Sequence, residues 1–66
     1  MKPSNLKKLR NELGVTQGYC ANKMHLHLRT IQRIEDGECK NQSTLNYYEL
    51  FLKNEKSIKD YRLNHR

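Results

Sequence analysis

No run of apolar residues in this 66-residue chain approaches the twenty or so that a membrane-crossing helix needs, and Met1-Lys2-Pro3-Ser4-Asn5 leads into no apolar core of a signal peptide. The expected location is therefore the cytosol. Cysteine is equally sparse: Cys20 and Cys39 allow one disulfide at most, and without an export signal a reducing compartment is the better expectation. His25 and His27 lie between them, which raises zinc. But neither a C-x-x-C nor an H-x3-H spacing is present, and Cys20 falls on an apolar helical stripe where a free thiol acts as a small hydrophobe. No metal or other cofactor is expected. A glycine-rich phosphate loop is missing, and no Ser/His/Asp or Cys/His arrangement can be placed around a pocket. The chain is read as non-enzymatic.

Acidic residues are also few. Seven Asp and Glu against thirteen Lys and Arg leave a formal charge of +6, so the expected partner is a polyanion, with nucleic acid ahead of an anionic membrane surface. The length allows one small domain, residues 1–66, near the lower limit at which a single core stabilises a fold without staples. No repeat, low-complexity tract or linker divides it.

The stretch from Val15 to Gly37 organises what remains. Cys20, Ala21, Met24, Leu26, Ile31 and Ile34 recur at the spacing of two crossing helices that share one core, with polar and basic residues between. Helix 1 is expected from an N-cap at Ser4 to Leu13, with Leu6, Leu9 and Leu13 on one face, Lys7 and Lys8 facing water or phosphate, and Gly14 closing it. Thr16 caps helix 2, Gln17 to about Met24. The link His25-Leu26-His27 calls for a positive φ, and His25 is the residue expected to carry it. Helix 3 then runs from Leu28 to Asp36 and stops at Gly37.

Ile31 and Ile34 point inward, which turns Leu28, Arg29, Gln32 and Arg33 outward. These are residue types that read base edges: Arg forks onto guanine, Gln onto adenine, and an apolar side chain meets the thymine methyl. Ser43 or Thr44 is expected to cap helix 4, whose apolar face is Leu45, Tyr48, Phe51 and Leu52. Ser57-Ile58-Lys59-Asp60 resembles a capping box opening a short fifth helix. Its apolar residues Ile58, Tyr61 and Leu63 have little core left to join, as interface residues do. The last residues, 64–66, are expected to fray.

The run T-Q-x-x-x-A-x-x-M from Thr16, followed by I-x-R-I-E-x-G from Ile31, together with Leu6, Leu9, Arg10 and Gly14, resembles the Xre-type helix-turn-helix family of lambda repressor-like and Cro proteins. The likeness covers about residues 6–52. It implies an all-α, compact bundle of about five short helices that binds a palindromic operator as a dimer, with the third helix in the major groove. By position it implies base reading by Leu28, Arg29, Thr30, Gln32 and Arg33. Backbone contacts fall to Gln17, His27, Lys40, Asn41 and Ser43, and an ion pair is implied between Arg10 and Glu35. A homodimer through Phe51, Ile58, Tyr61 and Leu63 completes the picture. The chain departs from the family's pattern at His25, where Gly is usual, at Gly18 and Tyr19, where Glu is frequent, at Leu28, often polar, and at Asn41.

The function these features imply is a sequence-specific, double-stranded-DNA-binding regulator, most simply an autoregulating repressor in a phage or mobile-element switch. The alternative is an antitoxin-like module that controls its own operon and grips a protein toxin.

Overall fold

One proline, placed second from the start of the described chain, sets where the first helix begins. In the computed structural model, which describes residues 2–64, α1 spans Pro3–Leu13 with Lys2 as its extended N-cap. Proline fits the first helical position because its fixed φ suits the helix and its missing N–H would have had no intrahelical acceptor. Ser4, the expected cap, is therefore already inside the helix. Pro3 outcompetes it.

Gly14 ends α1 in the left-handed conformation, φ 74°, with its N–H bonded to the carbonyl of Asn11. α2 spans Gln17–Met24 and is capped by Thr16, whose hydroxyl accepts from the Tyr19 N–H at 3.0 Å. α3 spans Leu28–Glu35, leaving only His25, Leu26 and His27 as the turn between them. His25 holds φ 57°, the single non-glycine residue at positive φ among those described. Leu26 N–H reaches back to the Ala21 carbonyl at 2.9 Å and His25 N–H to that of Asn22 at 3.3 Å, the paired bonds of a Schellman ending. The same pair closes α3 through Gly37.

α4 differs most from expectation. It is one continuous helix, Gln42–Asn64, of 23 residues, so four helices are described and no break occurs at Ser57. Its cap is Asn41, whose Oδ1 accepts from the Thr44 N–H at 3.2 Å, in place of Ser43 or Thr44. A Ser-x-x-Asp run opens a helix only where the previous one has stopped, and residues 54–62 contain neither Gly nor Pro. Asn64 belongs to α4, and the fraying expected of 65–66 lies outside the described residues. At about 1.5 Å per residue α4 is roughly 34 Å long, which accounts for the longest dimension of 39 Å.

The core is Leu6, Cys20, Ala21, Met24, Ile31, Ile34, Tyr48 and Leu52, with Leu9, Leu13, Val15, Leu26, Leu45 and Phe51 packed around it. α2 lies on α3, and α1 bridges α3 and α4. Both cysteines are free thiols, Cys20 fully buried and Cys39 partly so. No helix among the described residues is long and apolar enough to cross a membrane.

The left-handed His25 is costly in a way glycine would not be. His25→Gly is expected to raise stability by about 1 kcal/mol, or roughly 4–8 °C in Tm for a domain of this size. Thermal unfolding followed by circular dichroism measures it.

Candidate nucleic-acid interface

The orientation of α3 is set by what it buries. Ile31 and Ile34 have no exposed surface, and Glu35, at the end of the helix, retains 6 %. At about 100° per residue, Leu28, Gln32, Arg29 and Arg33 then occupy an arc of roughly 140° on the other side. All four are exposed, Leu28 by 43 %. Thr30, also expected at the bases, is half-buried, about 60° beyond Arg33 at the edge of that arc.

Glu35 fixes this orientation chemically. Its Oε2 accepts from Arg10 Nε at 2.7 Å and from the Tyr48 hydroxyl, and its Oε1 accepts from Gln17 Nε2 at 2.9 Å and from a second Arg10 nitrogen at 3.3 Å. The remaining fork of Arg10 donates to the Val15 carbonyl at 2.9 Å, which ties down the α1–α2 connection. Burial pushes the Glu35 pKa up, but the hydrogen bonds from Arg10, Tyr48 and Gln17 outweigh it and leave the carboxyl below its usual range. The bond to Glu35 raises the pKa of Arg10. Burial, then the adjacent carboxylate, pushes the Tyr48 phenol far up, so it stays a donor.

The residues expected to touch the DNA backbone are placed unevenly. Gln17 is half-buried, with its carboxamide turned inward onto Glu35, so what it offers outward is the first-turn backbone of α2. His27 is exposed and caps α3: its Nδ1 accepts from the Arg29 N–H at 3.2 Å. An accepting Nδ1 carries no proton, so the other ring nitrogen is the N–H donor. Asn41 spends its side-chain oxygen on capping α4, while Lys40 and Ser43 are exposed on either side of it.

At the other end, Phe51 is half-buried against the core, whereas Ile58 and Tyr61 are 39 % and 62 % exposed. The side chain of Leu63 lies outside the described residues. Ile58 lines a cleft of about 420 Å³ with Leu13, Val15, Tyr19, Glu55 and Arg62. Tyr19 donates to Glu55 across it at 3.2 Å. Among the described residues no group of three or more His, Cys, Asp or Glu is placed to hold a metal ion.

Sequence reasoning missed Tyr48 and Gln17 as partners of Glu35. A tyrosine at a fully buried helical position is the available signal, because its hydroxyl needs an acceptor there. Leu50, 67 % exposed, was also missed.

The fold and its site define a small all-α domain with a buried ionic clasp and a basic, partly apolar helix face. Compared with family models, curated proteins and solved structures, the chain gives no match in any of the three.

Glu35→Gln removes the counter-charge of Arg10 and is expected to cost about 3 kcal/mol, read from the urea midpoint near neutral pH. The lowered folded-state pKa means that the unfolded chain protonates first as pH falls. The stabilisation is full above the unfolded value of ~4.3 and is lost as pH drops through the lower native value. Glu35→Gln should flatten that acid limb.

Proposed function

We propose that this chain is a sequence-specific double-stranded-DNA-binding regulator, working as a homodimer in the cytoplasm and repressing by occupying its operator. The observation that supports the reading most is the exposed arc of Leu28, Gln32, Arg29 and Arg33 on α3, next to a three-residue turn. An eight-residue helix fits the major groove, and its outward residues are the chemistry that reads base pairs there. On this reading α2 and α3 form a helix-turn-helix. His27, at the start of α3, and the exposed Lys40, in the connection to α4, then contact the phosphates that flank the groove, and the net charge of +6 supplies the attraction.

Arg29 and Arg33 act as forked donors to guanine O6 and N7, and Gln32 pairs with adenine. Leu28 meets a thymine methyl and excludes water there. Phosphate contacts make binding fall steeply with salt, each adding about 0.9 to the log-log slope.

Replacing Arg29 or Arg33 by Ala is expected to weaken binding to the preferred duplex by ~1–3 kcal/mol each and to relax the choice of base at one position. Lys40→Ala should instead weaken all duplexes alike and reduce the salt slope by about one unit. Fluorescence anisotropy titrations at several salt concentrations separate the two. Arginine variants that bind as tightly and as selectively as the parent would sink the reading.

A further inference from the structure

α4 carries two apolar stripes on opposite sides. Leu45, Tyr48, Leu52 and Glu55, spaced by three and four, face the molecule's own core, where Tyr48 and Leu52 are fully buried. Tyr47, Leu50, Asn54, Ser57 and Tyr61 repeat at the same spacing on the other side, and all five are exposed, Leu50 by 67 % and Tyr61 by 62 %. A helix with only its own core to serve would be polar there. The outer stripe has the a and d spacing of a coiled-coil seam, flanked on one side by Phe51 and Ile58 and on the other by Lys53 and Asp60.

We infer that α4 pairs antiparallel with α4 of a second copy along this outer stripe, about a two-fold axis level with Glu55 and Lys56. In that register the layers from Leu50 to Tyr61 find matching partners, while Tyr47 stays with its own molecule, where its hydroxyl donates to the Met24 carbonyl at 3.4 Å. Leu50 lies on Tyr61 of the second copy and Tyr61 on its Leu50. Asn54 meets Ser57 of the second copy, a central polar layer that fixes the register by hydrogen bonding. Phe51 and Ile58 close one flank against each other, and on the other flank Lys53 meets Asp60 of the second copy. The pattern is self-complementary, as a two-fold interface must be.

A parallel pairing loses this. It sets Lys53 beside Ile58 of the second copy and parts it from Asp60, so neither the apolar nor the charged flank is complementary. Among the described residues Lys53 makes an exposed i,i+4 contact to Glu49 at 3.5 Å, weak enough for its ammonium to turn to Asp60 of a second copy. The interface so defined retains Ile58, Phe51 and Tyr61 and adds Leu50, Asn54 and Ser57.

This deepens the dimer half of the proposed function and is tested without DNA, by sedimentation equilibrium of the full chain. The expected result is a monomer–dimer equilibrium in which Leu50→Glu raises the dissociation constant by about tenfold or more, with unchanged helix content because the position is exposed. Lys53→Asp and Asp60→Lys should each weaken the dimer by roughly threefold or more, and combining them should restore it. A chain that stays monomeric at every concentration, a dimer indifferent to Leu50→Glu, or charge reversals that fail to compensate would each overturn the inference. A monomer that still selects one DNA half-site would overturn this pairing alone; a dimer of the expected kind that binds duplexes without preference would overturn the regulator reading alone.

Discussion

A single buried carboxylate holds the four helices together. Glu35 stands at the end of α3 and takes hydrogen bonds from Arg10 of α1, Gln17 of α2 and Tyr48 of α4. Each helix therefore contributes to one ionic clasp. Removing a carboxylate from water is expensive, and four donors with an opposite charge among them are what offset it here. No buried side-chain nitrogen or oxygen among the described residues is left without a partner. In a core of this size an apolar contact tolerates sliding, whereas a forked Arg–carboxylate pair admits one geometry. That geometry fixes the roll of α3, and the roll decides which residues face outward.

The route from sequence to this arrangement was partly open. Thr16, Gly14 and Gly37 announced helix ends through local chemistry, and the turn between α2 and α3 left His25 as the residue to take a left-handed conformation, which it does at φ 57°. Local signals failed where two of them competed. Pro3 took the first helical position and drew Ser4 into α1, and Asn41 reached the α4 amides before Ser43 could. Ser57 failed for a different reason: its capping pattern sits inside a run of helix formers that nothing interrupts.

The clasp was legible only in part. Arg10 and Glu35 were paired through resemblance to a family, since 25 residues separate them and no local rule connects them. Gln17 and Tyr48 stayed hidden because their roles depend on tertiary placement: Gln17 read as a phosphate contact and Tyr48 as an apolar core residue. A break at Ser57 would divide the outer stripe of α4 between two helices, which is why the sequence pattern does not reveal it. Because α4 is continuous, its exposed residues between 47 and 61 form one surface opposite the face that joins the core.

In the proposed function, α3 presents Leu28, Arg29, Gln32 and Arg33 to a DNA groove from a frame locked by Glu35. Selection of bound duplexes from a random pool tests this most directly. It should recover a motif of two inverted half-sites at a fixed spacing, with guanines and a thymine in each half. Recovery of duplexes with no shared motif would contradict it.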